Sequence, residues 1–405
     1  MSDSNVSLTD EIAYDELTRL VSFGCRFHGT KGNHDAADWI CAELLERTGL
    51  QPELQTVDLP AWDPGTRHGI DLVAPVQQHI EAWPMLWSGA TAGTVHASVE
   101  YLGPCGLWGD SMVWKRFVAL DADGEPVGYV LSRDAGPAAP QPLPAGYDAT
   151  LPHLSISHED GERLLEWIRQ GIVPEISFAC DCSDGGNAIS DNIIVDIPGT
   201  DGIAVNGTAV DNTAAPCVVL CAHYDTYYNT RGAYDNGSGT IALLELAQAL
   251  ASHPRPYRVR IIFFTAEEWH LGGSRHYVEH ASDLKNIHFV YNIDGLGRAD
   301  FVELFSAPED LAYRFDSEVK AYNRDSGRDM DVITRFPPMK GTDDASFHMA
   351  GVPTVYMTIN DRERLHQPND LPEMRSAGNI VWAVNMVSTI LDRIPRETHM
   401  EKPVL

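Results

Sequence analysis

The chain has few cysteines for its length, and their spacing excludes a disulfide-stapled protein. Seven cysteines among 405 residues are too sparse for a disulfide framework, and none forms the paired CxxC pattern of a structural zinc site. We expect reduced thiols that serve in packing, because unpaired cysteine is among the most buried residue types. The seven are Cys25, Cys41, Cys105, Cys180, Cys182, Cys217 and Cys221.

The sequence also lacks a segment that could anchor the chain in a membrane. It contains no run of about 18 apolar residues, the shortest length that spans a bilayer. Residues 1–17 hold acidic and polar side chains, where a secretory signal would have a basic start and an apolar run. We therefore expect a soluble cytoplasmic protein with no membrane partner.

Basic residues are scarce relative to acidic ones. The chain has 29 Lys and Arg against 58 Asp and Glu, and its formal net charge is −29 at pH 7. Such a surface repels phosphate backbones, so we expect no nucleic-acid partner. The charge serves either solubility or the attraction of cations and of substrates with a free amine. The sequence leaves the oligomeric state open.

The distribution of proline, glycine and apolar residues divides the chain into three segments. Residues 1–59 carry two helical patterns and an alternating strand pattern. Residues 60–184 are rich in proline, glycine and short alternating runs, and residues 185–405 alternate between strands and helices. We expect a main domain formed by residues 1–59 and 185–405, with a smaller β-rich domain of residues 60–184 inserted into it.

The strands predicted after residue 185 are apolar on both faces, which is typical of an α/β fold. Examples are residues 216–222, 257–265 and 352–359. Strands of this kind, alternating with helices, predict a mostly parallel mixed sheet that helices cover on both faces.

Tryptophans concentrate in the predicted insert. They form either its core or a lid over a substrate cleft, and the large area that each indole buries favours the core. They are Trp62, Trp83, Trp87, Trp108 and Trp114.

Acidic residues and histidines follow several of the predicted strands. In an open α/β sheet, ligands collect beyond the carboxyl ends of the strands, so these side chains can converge in space. Two imidazoles with several carboxylates suit zinc, cobalt or manganese better than calcium or magnesium. The candidates are His223, Asp225, Asp235, Glu267, Glu268, Asp294 and His366.

The motifs around these candidates, in this order, resemble the zinc aminopeptidases and related exopeptidases of the M28 group. The resemblance covers about residues 190–390, and the two N-terminal helices complete that fold. Residues 151–165 also resemble part of the protease-associated domain that is inserted in some peptidases. The M28 motifs are His223-Tyr-Asp225, Asp235-Asn-Gly-Ser-Gly239, Thr265-Ala-Glu267-Glu268-Trp-His-Leu-Gly-Gly-Ser274, Asn292-Ile-Asp294, Gly341-Thr-Asp-Asp-Ala-Ser-Phe347 and His366-Gln-Pro-Asn-Asp370.

The resemblance implies two divalent metal ions per chain, zinc in the first place and cobalt or manganese as alternatives. It implies that His223 and Asp294 bind one metal and that Glu268 and His366 bind the other. Asp235 would bridge the two ions.

Two further carboxylates receive roles from the resemblance. Glu267 would be the general base, and Asp225 would hold His223 by its far nitrogen. The sequence departs from the family at Thr342-Asp343-Asp344, where the aminopeptidase branch commonly has Ser-Asp-His.

The resemblance implies a metallo-exopeptidase, an M28-like aminopeptidase that hydrolyses peptides or small amides. A carboxypeptidase-like or other amide hydrolase is the alternative, because cations that could hold a terminal carboxylate occur near His366. A glutaminyl-cyclase-like transferase with one metal and a receptor-like binding module are further alternatives, which the complete ligand set disfavours. The cations are Arg335, Lys340, Arg362 and Arg364.

Overall fold

The chain forms two compact units. The structure, a computed structural model, describes residues 8–107, 112–200, 217–253 and 255–393. The domain boundaries expected from the sequence, with an insert of residues 60–184, remain a prediction. Unit 1 comprises Met1–Asp58, Ile189–Arg364 and Pro368–Leu405, and unit 2 comprises Leu59–Ala188 and Leu365–Gln367.

Two helices open unit 1, as their periodicity predicts. Helix α1 (Asp10–Val21) and helix α2 (Lys31–Thr48) each begin after a threonine whose hydroxyl accepts a backbone N–H of the first turn. Helix α2 ends at Gly49, which adopts the left-handed conformation with φ 71°. The apolar faces of both helices lie in the main core of the unit. Strand β1 (Glu53–Asp63) follows.

Unit 2 is built on a second eight-stranded sheet, of order β3-β2-β9-β5-β6-β7-β8-β4. Neighbouring strands of this sheet are antiparallel except for the parallel pair β7 and β8. The elements from here to the return into unit 1 are β2 (Ile70–Ala74), β3 (Gln78–Ile80), β4 (Ala82–Pro84), β5 (Val95–Leu107), β6 (Met112–Leu120), β7 (Pro126–Ser132), β8 (His153–Ile156), α3 (His158–Arg169), β9 (Glu175–Phe178) and β10 (Ser183–Ile197).

Two of the tryptophans of unit 2 lie in buried positions. Trp114 is 1% exposed and packs with Met85, Leu107 and Leu131, and Trp62 is 6% exposed. These two indoles therefore serve as core residues. Trp108 lies outside the described residues.

The remaining elements complete the sheet of unit 1, of order β1-β10-β12-β11-β13-β16-β14-β15. Strands β14 and β15 and helix α7 were not predicted from the sequence. The elements are β11 (Cys217–His223), α4 (Ser238–Ser252), β12 (Arg258–Phe264), α5 (Gly272–His280), β13 (Ile287–Leu296), β14 (Phe301–Ala307), α6 (Glu309–Ser326), β15 (Asp331–Arg335), α7 (Asp344–Met349), β16 (Thr354–Ile359) and α8 (Met374–Arg393).

The centre of this sheet is parallel, which confirms the predicted mixed α/β fold. Strands β12, β11, β13 and β16 pair in parallel, whereas β10 joins β12 and β14 joins β16 in antiparallel pairs. All seven residues of β11 are buried, and alternate ones enter clusters on opposite faces. Parallel strands end at one edge of a sheet, so the loops that follow β11, β12 and β13 meet there.

Within the described ranges, no helix combines the length and the apolar character that a membrane crossing needs.

Candidate metal centre

His223 occupies the last position of β11 and faces two carboxylates through one ring nitrogen. Its Nε2 lies 3.2 Å from Asp235 Oδ1 and 3.3 Å from Asp294 Oδ1, and the residue is 1% exposed. A ring nitrogen carries at most one hydrogen and cannot donate to two acceptors. Ligand atoms at zinc bond lengths in tetrahedral geometry are about 3.4 Å apart. The spacing therefore fits a divalent cation held jointly by the three side chains.

Asp294 reaches this position because it lies in β13 just beyond the part that pairs with β11. Strand β13 lies parallel to β11, with Cys221 opposite Asn292, so the ends of the two strands are neighbours. Burial raises the pKa of Asp294, and the nearby His223 opposes that rise. A cation beside the carboxylate would remove the cost of keeping this buried group ionised.

Asp235 is held in a sharply turned loop before α4. Gly232 adopts φ 55°, and a Cβ there would lie 2.3 Å from the carbonyl oxygen of Asp235, so only glycine fits. The buried carboxylate of Asp370 accepts the N–H of Tyr234 at 2.8 Å and that of Asp235 at 3.1 Å. These contacts fix the backbone from which Asp235 points at His223.

Asn236 connects this loop to the end of β13. Its Nδ2 donates to Ile293 O at 2.9 Å, and its Oδ1 accepts from the backbone N–H groups of Gly239 and Gly295 at 2.9 and 3.0 Å. Asp235 precedes Asn236, and Asp294 lies between the two β13 residues that Asn236 binds. These hydrogen bonds therefore fix the distance between the backbones of Asp235 and Asp294.

The turn after β12 carries Glu267 and Glu268. It begins at Ala266, a non-glycine residue in the left-handed region with φ 53°, and it is not helical. Asp225, which is fully buried, accepts the N–H of Glu267 at 3.1 Å and that of Glu268 at 3.2 Å. Its Oδ1 also lies 3.4 Å from His223 Nδ1. One carboxylate therefore orients both the histidine and the glutamate turn.

The two glutamates lie near different neighbours. Ligand atoms of Glu267, His223 and Asp294 lie within 4.8 Å of one another, and carboxylate oxygens of Glu268 and Asp235 are within the same distance. Asp235 therefore lies near both His223 and Glu268. Burial raises the pKa of Glu267 well above its usual range, and the charge of Glu268 adds to the rise, while His223 opposes it.

His366 belongs to the three-residue segment that groups with unit 2. There its Nδ1 lies 2.9 Å from Pro140 O and 3.1 Å from Gln141 Nε2. That His366 binds a metal ion remains a prediction.

Asp343 and Asp344, in the segment that departs from the family pattern, are completely buried. The Oδ1 of Asp344 accepts from Thr342 Oγ1 at 2.7 Å and from Asn292 Nδ2 at 3.3 Å. Burial raises the pKa of Asp343 to about 8 and that of Asp344 to about 6. These carboxyl groups are therefore more easily protonated than ordinary aspartates.

Sequence reasoning missed Arg26, which lies between the loops of the site. The residue is fully buried, and its guanidinium donates to the carbonyl oxygens of Tyr224, Arg231 and Gly232 at 2.6, 2.7 and 2.9 Å. Those carbonyls belong to the segments that present Asp225 and Asp235. No sequence pattern identifies this role, because the partners are about 200 positions away along the chain.

The chain is similar in sequence to known peptidases. Residues 202–389 match the model of peptidase family M28. The sequence is similar to aminopeptidase YwaD of Bacillus subtilis, with 26% identity over 401 residues that cover 92% of this chain and 83% of that protein.

Two solved structures share the fold. The zinc aminopeptidase BSAP from Bacillus subtilis superposes with a TM-score of 0.69 at 22% identity, over 96% of this chain and 95% of that one. A peptidase M28 precursor from Shewanella amazonensis gives a TM-score of 0.71 at 18% identity, over 95% and 94% of the two chains.

Proposed function

We propose that this chain, whose residues 202–389 match peptidase family M28, is a metal-dependent aminopeptidase that uses two metal ions. One observation carries the proposal. Asp235 lies 3.2 Å from His223 Nε2 and also has a carboxylate oxygen within 4.8 Å of one of Glu268. A carboxylate between two groups of ligands is what a pair of ions sharing one aspartate requires.

The proposal assigns His223 and Asp294 to one ion, Glu268 and His366 to the other, and Asp235 to both. His366 lies in the segment Leu365–Gln367, and the residues on either side of this segment, Arg364 and Pro368, belong to unit 1. Asp370, four positions after it, holds the backbone of Asp235. Four residues span at most about 14 Å, so chain connectivity supports this assignment.

The chain's own groups perform the proton transfers in the proposed reaction. Divalent ions at such a site lower the pKa of water and polarise the scissile carbonyl. Glu267 takes the proton of the attacking water and delivers it to the leaving amine. The raised pKa of Glu267 suits this role, because it makes the carboxylate a stronger base towards water than an ordinary glutamate is. Asp225 orients both Glu267, by accepting its backbone N–H, and His223, through its Nδ1.

The pairing of two of the four nearby cations, Arg335 and Arg364, favours an aminopeptidase over a carboxypeptidase. Arg335 Nε lies 2.7 Å from Glu303 Oε1, and Arg364 contacts Glu373 and Asp361. Their charges are already compensated, whereas a carboxypeptidase needs an arginine that can take the terminal carboxylate. The acidic site and the net charge of −29 suit a substrate that carries a free ammonium group.

The test compares leucine p-nitroanilide with its N-acetylated form, before and after treatment with a chelator. We expect hydrolysis only of the free amine, loss of activity after chelation, and recovery on addition of zinc, cobalt or manganese. Equal hydrolysis of the blocked substrate would indicate another amide hydrolase, and activity that survives complete metal removal would overturn the proposal.

A further inference from the structure

Two cysteines of unit 2 bring their sulfur atoms into contact. Cys180 and Cys182 follow β9, and their Sγ atoms are 3.0 Å apart. Both are free thiols, with exposures of 0% and 6%. A disulfide has a sulfur separation of about 2.0 Å, so a movement of about 1 Å would join them.

The backbone around these cysteines is fixed on both sides. Cys180 donates its N–H to Thr91 Oγ1 at 3.0 Å and accepts from Thr91 N at 2.7 Å. Asp181 accepts the N–H groups of Thr66 and Arg67 at 2.9 and 2.7 Å. A turn held in this way keeps the two side chains facing each other without a rearrangement of the chain.

The two thiols are chemically unequal. The contact between the two thiols lowers the pKa of Cys180 and raises the pKa of Cys182. Cys180 is therefore the member of the pair that ionises first, and the thiolate is the form that attacks oxidants. Cys182 lies in position to resolve the product.

We propose that Cys180 and Cys182 are a redox-active dithiol that closes to a disulfide when a hydroperoxide oxidises it. The Cys180 thiolate attacks the outer peroxide oxygen and becomes a sulfenic acid, and the O–O bond breaks to release water or an alcohol. The sulfur of Cys182 then attacks Cys180 and displaces water as the S–S bond forms. Two thiols lose two hydrogens, and the peroxide is reduced by two electrons. The inference is independent of the proposed peptidase activity.

The experiment treats the purified full-length chain with hydrogen peroxide, blocks the remaining thiols with an alkylating agent, and identifies the products by mass spectrometry. We expect two of the seven thiols to be protected from alkylation. Both should map to the peptide containing Cys180 and Cys182, at a mass lower by two hydrogens, and dithiothreitol should restore them. Retention of both thiols at peroxide concentrations that oxidise other cysteines would overturn the proposal.

Single variants separate the two roles. Cys182→Ser should stop the reaction at a sulfenic acid on Cys180, which dimedone labels, whereas Cys180→Ser should give no dimedone label at Cys182. The matched control is Cys41→Ser, in unit 1, because burial raises the pKa of Cys41 to about 11. This control should form the disulfide as the parent chain does. Dimedone labelling of Cys182 but not Cys180 would contradict the assigned order.

Discussion

At the scale of single residues, the site gives different tasks to chemically identical groups. Glu267 and Glu268 are adjacent, yet Glu267 lies beside His223 and Asp294 while Glu268 lies beside Asp235. The left-handed turn at Ala266 (φ 53°) and the two N–H groups bound by Asp225 hold the turn that presents them. Local backbone geometry therefore decides which carboxylate faces the proposed water and which the proposed metal.

The first prediction concerns Glu267, the proposed general base. Glu267→Gln keeps the size of the side chain but removes the proton acceptor, so we expect kcat to fall by at least about 100-fold with little change in metal content. Steady-state kinetics and elemental analysis of the same samples measure both quantities. The matched variant Glu268→Gln should lose metal. Full activity of Glu267→Gln would show that another group takes the proton.

The second prediction concerns Arg26 as a positioning residue. Lysine cannot reach three carbonyl groups as a planar guanidinium does, so Arg26→Lys should loosen the loops that present Asp225 and Asp235. We expect zinc affinity to weaken at least about 10-fold, as for the loss of groups that orient ligands. Competition with a chromophoric chelator measures the zinc dissociation constant.

The control for this variant is Arg47→Lys. Arg47 pairs with Glu16 and Glu43 at 2.5 and 2.8 Å on the N-terminal helices of the same unit. Its replacement should reduce stability while zinc affinity stays unchanged. An equal loss of affinity in both variants would reduce the role of Arg26 to general stability.

At the scale of elements, the sequence predicted what periodicity and capping encode. Helix α2 lies in the segment with a helical pattern and is followed by Gly49 in the left-handed conformation, and β11 carries His223 at its end. The short elements β15 and α7, of 5 and 6 residues, carry too few residues for a period to emerge. The contacts of Arg26 could not be predicted, because the folded sheet alone brings its partners to it.

The third prediction concerns His153 in β8. Its ring stacks on Tyr129 at 4.7 Å, its Nδ1 lies 2.9 Å from Leu151 O, and burial lowers its pKa from 6.5 to about 4. The folded state therefore prefers neutral histidine. The contribution of neutral His153 to the free energy of unfolding is fully present above pH 6.5. It is lost as the pH falls towards 4, by up to about 3 kcal/mol.

The matched variant for His153 is His153→Asn, whose amide can keep the donor to Leu151 O but does not titrate. Thermal unfolding between pH 4 and 7 compares the two proteins. We expect the stability difference between parent and variant to shift in favour of the variant as the pH is lowered through 6.5. A difference that is independent of pH would show that His153 does not titrate in this window.

At the scale of the whole molecule, charge is the dominant property. A net charge of −29 creates a negative potential that attracts cationic substrates and that salt screens. The fourth prediction is that kcat/KM for lysine p-nitroanilide, relative to glutamate p-nitroanilide, decreases as salt increases. Raising the ionic strength from about 0.01 M to about 1 M reduces the screening length from about 30 Å to about 3 Å. A constant ratio would exclude electrostatic attraction as a factor in substrate choice.

The central claim is that side chains at the carboxyl ends of β11, β12 and β13, together with His366, hold two metal ions that work as a pair. The most direct measurement is a zinc titration of metal-free protein, with bound metal and leucine p-nitroanilide activity followed together. We predict that two equivalents bind per chain and that full activity needs both. Binding of a single equivalent at full activity, or activity in the metal-free protein, would contradict the claim.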